Sequence, residues 1–307
     1  MNSIKIFLDS GAHSLYVKEV AKKGNNYAYY ESDAFWQYVD SYCEFVKENK
    51  HLFDTYVNVD VIFNPKLTWK VQKYMEDVHK LNPLPVYHPG EDFKWLKLYI
   101  DNYEYIGMGG VGQISKTQWM TVTGEPAWAM ICDDNGMPKN KVHGFAMTSP
   151  DLIIELPYFS VDSSSWMQFG KYGMIIIPKK KNGKFVYEES PHIISVSARK
   201  PKKSEHDHFE NLPKIDQIHI LEYLEMKGIP MGKSILEDEA FTKNMSELPI
   251  SKKAVSSVEK IIEVGVCNNG DLRDQINLDY YLDLENYIPP WPRPWRKKKQ
   301  MVTRLPL

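Results

Sequence analysis

Asp9, Asp60, His88, His143 and Asp162 are the side chains of this sequence whose types and placement could do chemistry. Asp9 follows the apolar run Ile4-Lys-Ile-Phe-Leu8, Asp60 follows Thr55-Tyr-Val-Asn-Val59, and Asp162 follows Tyr158-Phe-Ser-Val161. His88 follows Leu84-Pro-Val-Tyr87, and His143 lies inside Lys141-Val-His-Gly-Phe-Ala-Met147. Taken singly, each is an ordinary turn former or helix cap. Their repeated position at the end of a strand-like run is the signal. Gathered at one mouth, three carboxylates and two imidazoles fit two chemistries. One is a metal site, with Asp9, Asp60, His88 and His143 as ligands of a metal-dependent hydrolase; no H-x-H or H-E-x-x-H accompanies them. The other is covalent glycosyl chemistry, in which one carboxylate attacks an anomeric carbon and another moves protons. The residues themselves leave both open.

Elements that alternate between strand and helix must position these groups. Short β-branched runs end abruptly, and stretches of helical spacing follow: Phe35 to Glu48, Thr68 to Leu81, Phe93 to Asn102. Ser149-Pro-Asp-Leu-Ile-Ile-Glu155 reads as a helix start with a serine cap and proline in the first turn. Such alternation predicts a parallel sheet with helical crossovers. Gly107-Met-Gly-Gly-Val-Gly112 is not the G-x-G-x-x-G of a dinucleotide fold. The expected fold is therefore α/β, a (β/α)8 barrel whose strand ends open onto one face. It is read as one domain over residues 1–307: regular units with the chemical motifs to about 170, then barrel closure, basic loops and helices over 171–307. Tyr172-Gly-Met-Ile-Ile-Ile177 and His192-Ile-Ile-Ser-Val196 are the candidate closing strands. Pro178 to Lys184 reads as a hairpin turn, Pro213 to Lys227 and Ser251 to Val264 as helices, and the proline-rich tail from Pro289 as irregular.

Composition bounds the rest. The chain has 307 residues, 43% hydrophobic and 25% charged, which is that of a folded protein with a large core. No apolar run approaches the roughly 20 residues that span a bilayer, and the first residues turn polar at once, so no membrane partner and no secretory signal are expected. Cys43, Cys132 and Cys267 lie far apart, which argues against a disulfide scaffold or a cysteine-rich zinc site and for a cytoplasmic setting.

The strand-end motifs, in order, resemble the tRNA-guanine transglycosylase superfamily. Asp9-Ser-Gly-Ala-His13 is similar to its D-S-G-G-[FY] motif, and Asp60 to its base-reading aspartate. Ile106-Gly-Met-Gly-Gly110 resembles its I-G-G loop, Thr148-Ser-Pro-Asp-Leu-Ile its G-x-P-x-[DE] helix start, and Val161-Asp-Ser its nucleophile motif. The likeness covers about residues 4–166. Val57-Asn-Val-Asp-Val-Ile, Pro85-Val-Tyr-His-Pro-Gly-Glu91 and Tyr105-Ile-Gly-Met-Gly-Gly110 look closer to the phage and bacterial DNA-guanine transglycosylases, which exchange guanine in DNA for a 7-deazaguanine such as preQ0. The resemblance implies that Asp162 is the nucleophile and Asp9 the general acid/base. It implies that Asp60 accepts from the N1–H and N2–H2 edge of the base, and that Gly109 and Gly110 approach it with backbone N–H groups. His13 and Phe145 would sandwich the base; His88 has no family role, but its strand-end position suits a polar contact to the base, and His143, near a strand end, is a further candidate contact. The tRNA enzymes carry a C-x-C-x-x-C…H zinc site that Cys267 alone cannot build, so the expectation is DNA rather than tRNA, with no cofactor beyond the deazaguanine co-substrate. A tRNA-modifying enzyme and a non-catalytic nucleic-acid-binding relative are the alternatives within this likeness.

The formal charge of −2 is that of no obvious nucleic-acid binder, but the basic residues cluster. Lys179, Lys180, Lys181 and Lys184 form one group and Arg199, Lys200, Lys202 and Lys203 a second. Arg293 and Arg296 to Lys299 form a third. Tyr187, His206, Trp291 and Trp295 interleave with them, the pattern of a phosphate-tracking surface with stacking platforms.

Overall fold

The computed structural model describes residues 5–109, 115–147, 149–199, 208–238 and 257–295. The chain forms two compact units. One takes it to residue 148, returns for 155–162 and ends with the segment from 290; the other comprises 149–154 and 163–289.

The first unit is built on parallel strands in chain order: β1 Phe7–Leu8, β2 Thr55–Tyr56, β3 Val86–Tyr87, β4 Tyr105–Met108, β5 Lys141–Gly144 and β6 Ser160–Val161. β1 pairs with β2, and β3, β4, β5 and β6 pair in succession, all parallel. A parallel bridge between Val57 and Leu84 joins the two groups. Between the strands lie α1 Ala12–Leu15, α2 Asp33–Asn49, α3 Pro65–Asp77, α4 Phe93–Asn102, α5 Lys116–Trp119 and α6 Glu125–Ile131; α7 Pro150–Glu155 follows β5 in sequence but belongs mostly to the second unit. The anticipated α/β class is what is found.

Local chemistry explains where the helices begin. Ser32 caps α2 by accepting from the Phe35 N–H, Asn64 caps α3 through the Leu67 N–H with Pro65 in the first turn, and Asp92 caps α4 through the Lys94 N–H. In α2 the buried residues Phe35, Val39, Cys43 and Val46 recur at helical spacing and form one core cluster with Val71 and Met75 of α3. A second cluster, Val57, Leu84 and Val86, packs with Phe7, Tyr105 and Phe145 on the strands themselves. Phe7 of β1 stacks on His143 of β5 with ring centroids 4.2 Å apart. Side chains from the first and fifth strands thus meet, so the run of strands curls on itself, more than twist alone would give.

The described part of the tail, to Trp295, is irregular, as expected, and is held by several contacts. The Trp295 N–H donates to the Gly136 carbonyl at 2.8 Å, Trp291 packs edge-on against Phe159, and Arg293 donates to the Leu156 carbonyl.

The second unit departs from expectation. It holds most of α7, then α8 Ser165–Lys171, β7 Met174–Ile177, β8 Lys179–Lys181, β9 Lys184–Val186, β10 His192–Ser195, α9 Lys214–Met226, β11 Lys233–Asp238, β12 Ser257–Glu263 and α10 Gly270–Tyr287. The two runs expected to add parallel strands pair antiparallel with one another, Ile176 opposite Ile193, over a core of Ile175, Ile177, Ile194, Ile220 and Leu224. Lys179–Lys181 and Lys184–Val186 are the arms of a hairpin whose turn is only Asn182-Gly183, both at positive φ. Ser257–Glu263, expected in a helix, is a strand, because Lys233–Asp238 pairs with it antiparallel and the pairing overrides local propensity. Helix α10 was not anticipated. Its buried positions Ile276, Asn277, Tyr280 and Leu284 are interleaved with exposed Leu278 and Leu282, which blurs the apolar stripe. Cys43, Cys132 and Cys267 are free and buried. Among the described residues no helix is long and apolar enough to cross a membrane.

Candidate active site

The strand ends of the first unit bring the sequence-predicted carboxylates together. Asp9 lies just beyond β1, in a turn where Gly11 takes φ 72° and a β-carbon would stand 2.9 Å from the Tyr38 hydroxyl. That hydroxyl donates to the Ser10 carbonyl at 2.7 Å, and Tyr42, one turn further along α2, donates to the Val57 carbonyl at 2.8 Å. One helix thus pins the segments that carry Asp9 and Asp60.

Asp9 keeps part of its surface in solvent but is crowded by neighbouring groups, and its pKa is raised. Loss of hydration comes first among the causes; the charges of Asp60 and then Asp162 add to it, against the backbone N–H groups of Ser10 and Gly11. Asp162 goes the other way. Partial desolvation opposes its ionisation, but His143 and the Ala146 N–H, 2.7 Å from Oδ1, outweigh that and hold its pKa below the usual carboxylate value. Neighbouring carboxylates pushed in opposite directions are how a site separates a proton carrier from an anion.

Asp60 is buried, and its Oδ2 lies 2.9 Å from His88 Nε2. On the other side of the ring, Glu91 Oε1 is 3.4 Å from Nδ1, and Glu91 Oε2 accepts from the His88 backbone N–H. Burial alone would lower the imidazole pKa, but the two carboxylates overcome it and raise it to about 10. His88 is therefore an imidazolium at neutral pH, locked between two acids. Glu91 was not singled out in the sequence; its place three residues after His88 across a Pro-Gly turn is the signal that could have found it.

Other expected base contacts sit differently. The Gly109 N–H donates to the Tyr87 carbonyl at 2.8 Å, so it belongs to the sheet and does not reach for a base. Its missing side chain instead lets Pro89 and His88 approach, since a β-carbon would be 3.0 Å from Pro89 Cδ. Gly110 lies outside the described residues. Phe145 is turned into the strand core, edge-on to His143 at 4.4 Å, while His13 stands exposed on α1. His143 is only 2% exposed and has Phe7 stacked on its ring, so it lies behind Asp162 and not against a ligand. Its Nδ1 is 2.6 Å from Ser160 Oγ, which is 2.5 Å from the Tyr105 hydroxyl; its Nε2 is 3.6 Å from Asp162 Oδ1.

Comparison with known proteins finds no match among family models, curated sequences or solved structures. The geometry has to speak alone. For a metal, Asp60 and His88 are spent on each other and His143 on Ser160, and among the described residues no group of three His, Cys, Asp or Glu is arranged to hold an ion.

Among the described residues of the basic clusters, four are paired with carboxylates. Lys179 and Lys181 reach Glu189, Lys180 reaches Glu222, and Arg199 Nε is 2.6 Å from Glu259. Lys184 is exposed on the hairpin; Lys200, Lys202, Lys203, His206 and the run from Arg296 to Lys299 lie outside the described residues. The sequence hid the pairs of Lys180 and Arg199 because their partners are 42 and 60 residues away.

Proposed function

We propose that this chain is a base-exchange transglycosylase acting on guanine in DNA and inserting a 7-deazaguanine such as preQ0, working in the cytoplasm. The observation that carries the reading is the pair Asp9 and Asp162: electrostatic neighbours at the ends of the first and last parallel strands, one favoured as a proton carrier and the other as an anion. The curled run of six parallel strands supports a barrel of the (β/α)8 type, in which strand ends share one mouth.

In this mechanism Asp162 attacks C1′ of the nucleotide. The bond to guanine breaks as Asp9 delivers its proton to the departing base. The sugar is then an ester of Asp162. N9 of the incoming deazapurine gives its proton to Asp9 and attacks C1′, which releases the carboxylate. One N-glycosidic bond replaces another, so the step calls for no cofactor. Asp60, with Oδ2 held by His88, is left to meet the N1–H and N2–H2 edge through Oδ1. The base must leave its stack first, at a cost of a few kcal/mol in a duplex and less in unpaired DNA.

The test is incubation of DNA, and separately of tRNA, with labelled guanine or preQ0 and the full chain. Label is expected in DNA, in the presence of EDTA, and in none of the product when Asp162→Ala is used. Label confined to tRNA moves the substrate to RNA; label in neither polymer rejects the reading.

A further inference from the structure

The buried groups behind Asp162 form a directed chain. His143 is held on one face by Phe7, 4.2 Å away and nearly parallel, and at its edge by Phe145. Its Nδ1 faces Ser160 Oγ at 2.6 Å, and that oxygen faces the Tyr105 hydroxyl at 2.5 Å. Its Nε2 is buried without a hydrogen-bond partner and stands 3.6 Å from Asp162 Oδ1. A neutral imidazole carries one ring proton. If it sat on Nδ1, the buried Nε2 lone pair would face a carboxylate oxygen 3.6 Å away, which is repulsive. With it on Nε2, the order of donation is consistent throughout: Tyr105 O–H to Ser160, Ser160 O–H to Nδ1, and Nε2–H toward Asp162. Ser160 is opposite His143 in the β5–β6 register, so the ladder itself sets this spacing.

We infer that His143 is a positioning residue for Asp162: Ser160 and Tyr105 fix it as the Nε2–H tautomer, and it closes on Oδ1 whenever negative charge resides there. Resting on the transglycosylase reading, this makes its largest effect the release of the sugar, when the carboxylate departs as an anion. A structural filler would not need a tautomer. Among the described residues, the charges that act on this end include Asp9, just beyond β1, and Asp60 with its partners His88 and Glu91.

The experiment reads Asp162 directly in the full chain without nucleic acid, as the pH dependence of its carbodiimide labelling followed by mass spectrometry. His143→Phe keeps the stack on Phe7 and removes the donor. It is expected to raise the half-point of protection by about one pH unit. Ser160→Ala is expected to give a smaller rise and Tyr105→Phe the smallest. In base exchange, Ser160→Ala is expected to lower kcat about tenfold with KM unchanged, since the substrate contacts are untouched. An unmoved half-point in Ser160→Ala and His143→Phe, with melting temperatures like the wild type, overturns the inference. Because labelling needs no substrate, a wild type that exchanges no base overturns the proposed function separately.

Discussion

His88 carries the strongest electrostatic signature of any single residue near the site. Its folded pKa of about 10 lies above its ordinary 6.5, so the bound proton stabilises the fold. That contribution is complete below about pH 6.5 and is lost as the pH rises through 10. Thermal melts of wild type and His88→Gln between pH 6 and 10 are therefore expected to converge as the pH climbs; a constant gap would mean that packing, not charge, sets the difference. The same residue shows how far types and spacing reach. That His88 stands at a strand end was legible in the sequence. That Glu91 turns back to enclose it was not, because the turn at Pro89-Gly90 decides where the carboxylate points.

At the scale of elements, the parallel strands work because small residues sit where the curled sheet is tightest. A β-carbon on Gly107 would lie 2.6 Å from Phe145 Cε2, 3.1 Å from Leu84 and 3.3 Å from Val86. Gly107→Ala is expected to cost about 1–3 kcal/mol in denaturant unfolding, the usual penalty of overpacking. It should also disturb exchange, since Phe145 supports the ring of His143. The apolar spacings of α2, α3 and α4 were readable because they act over three or four residues; the caps Ser32, Asn64 and Asp92 emerged from the structure. The second unit was less so: α10 is anchored by Asn277, whose Oδ1 accepts from the Ile176 N–H and whose Nδ2 donates to the Trp166 and Met174 carbonyls. A helix held by a polar residue bonded across 101 positions leaves little local pattern.

At the scale of the whole molecule, the formal charge is −2, and the described lysines of the β8 arm sit beside carboxylates. Lys179, Lys180 and Lys181 already have carboxylate partners in Glu189 and Glu222, so little counterion release is left for them to supply. Replacing all three by alanine is expected to leave the slope of log affinity for DNA against log salt within about one of wild type. A slope reduced by two or more would return the hairpin to the phosphate-tracking role that its composition suggested.

The sequence by itself determined the alternation of strand and helix and the set of acidic and imidazole groups at the strand ends. These follow from φ/ψ preference and periodicity, which operate within one turn or one strand. Tertiary structure alone decided which groups are neighbours: that Asp60 is tied to His88, that Gly109 serves the sheet, that His143 lies behind Asp162, and that Lys180 reaches Glu222. Electrostatic partnership depends on distance in space, and no local preference encodes a contact between residues that folding brings together from remote parts of the chain.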